Sequence, residues 1–156
     1  MGIRRGRRGD SAAFLGLVEG LARYEHLDPP SETGRRRLVE DIFLRRKVNL
    51  LVATDGRGLR GYALYFYTYS SFLARPTLYI EDIYVSKKHR GSGIGLALFR
   101  RCAREAIRHK CGRMEWAVLT WNKGAIDFYE RLGARRLRDW YVYRLDEEGI
   151  RKSSKP

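Results

Sequence analysis

The sequence predicts a mixed α/β fold: a central mixed sheet of about six strands flanked by about four helices, in the order β-α-α-β-β-β-α-β-α-β. Three observations carry that expectation. Apolar residues recur at helical spacing in several segments, and β-branched and aromatic residues gather in the stretches between them. In mid-chain a strand, a glycine-rich turn and an amphipathic helix follow one another, the start of a βαβ crossover. At 156 residues the chain has the length of one compact domain with a sizeable core.

Residues 3–5 read as a short strand. Asp10 or Ser11 then caps a helix whose inward face carries Phe14, Leu17, Val18, Leu21 and Glu25, ending near His26 ahead of Pro29-Pro30. A second helix spans 33–46, with Leu38, Val39, Ile42 and Phe43 inward. The period then shortens. Residues 48–54 and 60–69 form an antiparallel hairpin about Asp55-Gly56-Arg57-Gly58, and 78–85 is a third strand. Over 93–109 the helical period returns, with Ile94, Leu98, Phe99, Cys102, Ala103, Ala106 and Ile107 on one stripe. A strand over 113–120, a helix over 122–132 closed by Gly133, and a last strand over 140–145 complete the order. The domain is expected over 1–146, with a polar tail over 147–156.

Composition excludes several classes. Two cysteines without a C-x-x-C pair make neither a disulfide framework nor a zinc site, and three scattered histidines add no ligand spacing, so no metal is expected. No apolar run reaches the roughly 20 residues that span a bilayer. The apolar stretch after the basic N-terminus is interrupted by Glu19 and continues as an amphipathic helix, which argues against a signal peptide. Gly2 lacks the Ser or Thr at position 6 that myristoylation asks for. A reducing, cytoplasmic setting is the expectation. Net charge is +14, from 32 Lys and Arg against 18 Asp and Glu. Such an excess attracts nucleic acid, acidic membrane or a polyphosphate ligand. The arginines are dispersed in small clusters, however, and no helix carries them as a recognised reading module.

Three segments carry chemistry. After the strand ending at Val85 come Ser86-Lys87-Lys88-His89-Arg90-Gly91-Ser92-Gly93-Ile94-Gly95 and a helix. Glycines let backbone N–H groups approach a ligand, and a helix N-terminus favours anions, so the turn reads as a pyrophosphate cradle. It lacks the Gly-Lys-Ser/Thr of a P-loop and the acidic residue of a dinucleotide fingerprint. The strand before it holds Glu81 and Asp82 side by side within an apolar run; buried charges need partners, water or a substrate cation. Adjacent strand residues face opposite ways, so the two share a role only if a bulge re-aims them. In the third segment Asn122 caps a helix that presents Ala125, Phe128, Tyr129 and Leu132 inward.

These segments, in this order and spacing over nearly the whole chain, resemble the GNAT superfamily of N-acetyltransferases. Arg90 to Gly95 fits that family's R/Q-x-x-G-x-G/A loop, and Asn122 with Phe128 to Ala134 fits its second cofactor segment. Leu21 to Glu25, Tyr65 to Tyr69 and Tyr79 to Val85 are similar to the branch with spermidine/spermine and thialysine acetyltransferases. The resemblance implies a GNAT-like fold, acetyl-CoA as acetyl donor, a small primary amine (polyamine or lysine-like) as acceptor, and a homodimer. It implies cofactor contacts at Ile83, Tyr84 and Val85, at Arg90, Gly91, Ser92, Gly93, Ile94, Gly95 and Leu96, and at Asn122, Lys123, Gly124 and Ala125. Tyr129, also at the cofactor, would protonate the departing thiolate, and Glu81 would accept the amine proton through water. Tyr24, Glu25, Glu81, Asp82, Glu115 and Trp116 would line the acceptor site. Thr120 stands where the polyamine branch carries an acidic residue, which leaves the amine open. The alternatives are a protein N-terminal or lysine acetyltransferase and, outside the enzyme class, a basic nucleic-acid-binding protein.

Overall fold

The computed structural model describes residues 1–155. The chain forms two compact units, Met1–Ala117 and Val118–Pro156. The first holds β1 (Gly2–Arg5), α1 (Ser11–Glu25), α2 (Glu32–Phe43), β2 (Asn49–Thr54), β3 (Leu59–Ser70), β4 (Arg75–Val85), α3 (Ile94–Arg108) and β5 (Arg113–Trp116). The second holds α4 (Lys123–Arg131) and α5 (Glu147–Ser153).

Five strands form one sheet in the order β1-β2-β3-β4-β5. The pairs β1/β2, β2/β3 and β3/β4 are antiparallel, and β4/β5 is parallel. Parallel neighbours need a crossover, and α3 supplies it. Alternation sends the two faces of each strand into different cores. Leu51, Ala53, Ala63, Tyr65, Leu78 and Ile80 pack against Ile94, Leu98, Cys102 and Ala106 of α3. Leu50, Val52, Tyr62 and Leu64 meet Phe14 and Leu17 of α1 and Ile42 of α2 on the other side.

The mixed α/β order stands as read, with corrections at its edges. β5 stops at Trp116 instead of reaching residue 120. Residues 140–145, expected as a last strand, form none: their own unit contains helices only, and a strand without a ladder partner leaves its backbone groups unpaired. Alternating aromatics alone do not supply that partner. Within the expected polar tail, residues 147–153 form α5, capped by Asp146 accepting from the Gly149 N–H at 2.8 Å; Pro156 lies outside the described residues. Asp10 holds the N-cap position of α1, but its carboxylate accepts from Arg4 at 2.7 and 2.8 Å and from the Arg7 N–H at 2.7 Å.

One irregularity decides where the acidic strand points. Leu64 pairs with Asp82 while the next residue of β3, Tyr65, pairs with Ile80. Glu81 is therefore an extra residue in β4, a β-bulge. Before it, Leu78 and Ile80 face α3; beyond it, Ile83 and Val85 do so. Tyr84, and Asp82 two residues before it, thus turn to the α1 face.

Candidate active site

The glycine turn has the backbone that its sequence demands. Gly91 (φ 76°) and Gly93 (φ 79°) are left-handed, a conformation in which other residues are strained. Gly93 is the N-cap of α3 and offers no side chain, so the first-turn N–H groups remain directed outward for a ligand. A Cβ at either glycine would meet nothing within 4 Å. The turn thus has room for an anion beside the helix N-terminus, and Lys87 and Lys88 in the preceding turn are exposed.

Arg90 is placed differently from a simple phosphate ligand. Its guanidinium lies 4.3 Å from the ring centre of Tyr24 and 5.6 Å from that of Tyr84. Its Nε donates to the Val85 carbonyl at 3.1 Å. The arginine therefore joins the end of β4 to α1.

β4 runs on beyond its parallel partner. β5 pairs with it only from Thr77 to Ile80, while β4 continues to Val85. Among the described residues no strand extends the ladder along Ile83–Val85 on that side, whereas β3 pairs the other side from Gly61 to Ala63. Backbone donors and acceptors along that edge are positioned to pair with an extended amide-bearing ligand.

On the α1 face of β4, Tyr62 Oη donates to Asp82 Oδ2 at 3.1 Å. Burial pushes the Asp82 carboxyl up to about 6; the Tyr62 hydrogen bond opposes this, and Glu81 and Glu25 add to it as like charges. Burial also raises Glu25. Tyr62, fully buried and facing the Asp82 charge, is held well above the ordinary phenol range. α1 can approach because Gly20 has no side chain: a Cβ there would lie 2.7 Å from Tyr84 Oη. The fold thereby gathers Tyr24, Glu25, Tyr62, Asp82, Tyr84 and Arg90.

The other expected acceptor residues lie elsewhere on β4 and β5. Glu81, the bulged residue, is exposed. Glu115 pairs across the sheet with Tyr79 and is tied to Arg113 Nε at 2.9 Å. Trp116 lies on the opposite face, edge-on to Phe99 of α3 at 5.4 Å. Cys102 is fully buried and burial pushes its thiol up to about 12, which suits packing rather than nucleophilic attack.

In the second unit, Asn122 caps α4 by accepting from the Ala125 N–H at 3.2 Å, as its position in the sequence predicts. Lys123 and Gly124 fill the first turn. Tyr129, two turns on, is half-buried, edge-on to Phe128 at 5.1 Å, and its carbonyl accepts from the Leu132 and Ala134 N–H groups.

Tyr62 is the site residue that sequence reasoning missed. Alternation along β3 places it on the α1 face, but Asp82 reaches that face only through the bulge, which residue types alone do not reveal.

Residues 17–134 match the Acetyltransferase (GNAT) family. The chain is 35% identical to a thialysine N-epsilon-acetyltransferase of Sus scrofa, across 96% of this chain and 95% of that protein. It is 37% identical to the L-ornithine N5-acetyltransferase NATA1 of Arabidopsis thaliana, across 72% of this chain and 47% of that one. Among solved structures, an integron cassette protein from the mobile metagenome of V. cholerae superposes with a TM-score of 0.83 at 27% identity, covering 99% of this chain and 98% of its own.

Proposed function

This chain belongs to the Acetyltransferase (GNAT) family and is an N-acetyltransferase, and from that premise we propose that it transfers an acetyl group from acetyl-CoA directly to a primary amine of a small cationic molecule. The observation that carries the acceptor class is the half-buried carboxylate of Asp82 beside Glu25, in a chain whose net charge is +14. A partly buried acidic cluster in so basic a protein calls for compensation, which Tyr62 supplies in part and a bound cation would complete. The relatives point the same way, since their names specify side-chain amines of amino acids. A lysine-like amino acid leads the candidates, and a polyamine shares its chemistry.

The residues present suit acetyl-CoA. Gly91 and Gly93 leave open space at the N-terminus of α3 for a pyrophosphate, Lys87 and Lys88 add positive charge, and the free edge of Ile83–Val85 suits the amides of a pantetheine arm. Asn122 to Ala125 would hold the cofactor from α4. When bound, acetyl-CoA supplies an activated thioester.

The protein's part is electrostatic and positional. A lysine-like amine has a pKa of about 10.4, so presenting its lone pair near pH 7 costs roughly 4–5 kcal/mol. Asp82 and Glu25 hold the cation, while Arg90 packs over the rings of Tyr24 and Tyr84 beside them. Glu81, exposed at the bulge, accepts the released proton through water. An N–H of the Ile83–Val85 edge polarises the reacting carbonyl, an interaction typically worth about 3 kcal/mol. Tyr129 donates the proton that the leaving sulfur requires.

The test is release of CoA thiol by the purified protein with acetyl-CoA and single amines. Saturable turnover with ornithine, lysine analogues or diamines is expected. Turnover confined to peptides would assign the acceptor to proteins, and none with any amine would overturn the reading.

A further inference from the structure

We propose that Tyr62 is a positioning residue of the acceptor site: its buried hydroxyl fixes one oxygen of Asp82 and keeps that side chain an anion facing the amine. The proposal rests on the small-cation reading above and identifies what sustains the charge on which that reading depends.

The geometry begins at the bulge. With Glu81 as the extra residue, Asp82 stands opposite Leu64, and its side chain lies on the face where Tyr62 projects. Tyr62 cannot turn away. Its ring is fully buried, edge-on to Phe14 at 5.0 Å and tilted against Tyr84 at 6.3 Å. A buried phenol needs a hydrogen-bond partner, and among the described residues Tyr62 has Asp82 Oδ2 at 3.1 Å. Because Tyr62 stays protonated throughout the working pH range, it can only donate to the carboxylate, never take its proton. One oxygen of Asp82 is thus oriented by the core, and the other is left for the acceptor.

The surrounding groups make this donor matter. Glu25 approaches from α1, and Glu81 adjoins on β4, both as like charges that favour protonation of Asp82. Tyr24 of α1 and Tyr84 of β4 are covered by Arg90, whose guanidinium is directed to their rings and to the Val85 carbonyl. Tyr62 is therefore the donor that opposes burial and two acidic neighbours. Phenylalanine would fill the same space without that opposition.

The test compares wild type with Tyr62→Phe by two readouts. The first is the carboxyl ¹³C titration of Asp82 in aspartate-labelled protein, assigned by its disappearance in Asp82→Asn. The wild-type midpoint is expected near pH 6, and Tyr62→Phe should raise it by roughly one pH unit. The second is the pH profile of turnover. On that shift, the loss of kcat/KM in Tyr62→Phe with a lysine-like amine is about fivefold larger at pH 6 than at pH 8.5, through KM. An unchanged carboxyl midpoint in folded Tyr62→Phe overturns the proposal, as does a loss of activity that is equal at all pH values. If wild type acetylates no amine, the functional reading falls, yet the titration still decides whether Tyr62 governs Asp82.

Discussion

At Asp82 two demands oppose each other on the proposed function: burial favours the protonated acid, while holding a cationic amine would require the anion. The folded-state value near 6 exceeds the ordinary 3.8, so the native protein binds this proton more tightly than the unfolded chain does. Below pH 4 the group contributes no pH-dependent cost. Between pH 4 and 6 stability declines as pH rises, and above 6 the cost is complete, at most about 2–3 kcal/mol. Asp82→Asn, which still accepts from Tyr62, is predicted to raise the urea midpoint at pH 7.5 and leave it unchanged at pH 4, while turnover with cationic amines drops. A lower midpoint at pH 7.5 would show that the charge stabilises the fold instead. Tyr129 has a different signature. Tyr129→Phe is predicted to retain acetyl-CoA affinity and lower kcat by about 10²-fold; unchanged kcat, with chemistry rate-limiting, removes it as the acid. Glu81 and Asp82 were legible in the sequence as an acidic pair inside an apolar strand. Their division between an exposed and a half-buried position was not, because it depends on a one-residue shift in pairing with β3.

Among the elements, α3 was the most fully legible, since its apolar stripe and glycine entry state both its buried face and its start. Gly93 is its most sensitive position. Gly93→Ala must place an L side chain at φ 79°, which costs about 1–2 kcal/mol, and its methyl group would occupy the open space assigned to phosphate. The prediction is a lower melting temperature together with an acetyl-CoA Kd raised at least tenfold, measured by differential scanning and titration calorimetry. A normal Kd would move the cradle elsewhere. The misread element is the strand expected over 140–145. Its aromatic alternation states that the segment can be extended, but pairing is a long-range property that a local pattern does not encode. Trp140, Tyr141, Val142 and Tyr143 are exposed in the structure.

Across the whole molecule, the proposed function gives charge opposite parts toward the two substrates. On the proposed reading, the net charge of +14 attracts a polyphosphate donor within about a Debye length, about 10 Å at 0.1 M salt, while local carboxylates hold the acceptor. Raising salt from 0.05 to 0.5 M is predicted to lower kcat/KM for acetyl-CoA several-fold; no change would mean that the surplus charge does not assist the donor. Some of that charge is already used within the fold. The buried Glu105 carboxylate of α3 accepts from Arg101 and Arg108 and lies 3.4 Å from Arg5 of β1. Burial would raise Glu105, but the three arginines outweigh it and hold the carboxyl below its usual range, so this pairing supports stability at neutral pH and is lost on acidification. The central claim is that acetyl-CoA and a small cationic amine meet at this site. It is tested most directly by competition: purified protein is given ¹³C-acetyl-CoA and an equimolar mixture of a lysine-like amino acid, a polyamine and a lysine-containing peptide, and the products are read by mass spectrometry. Label on a primary amine of a small cation is the predicted result; label confined to the peptide, or none transferred, would contradict the account.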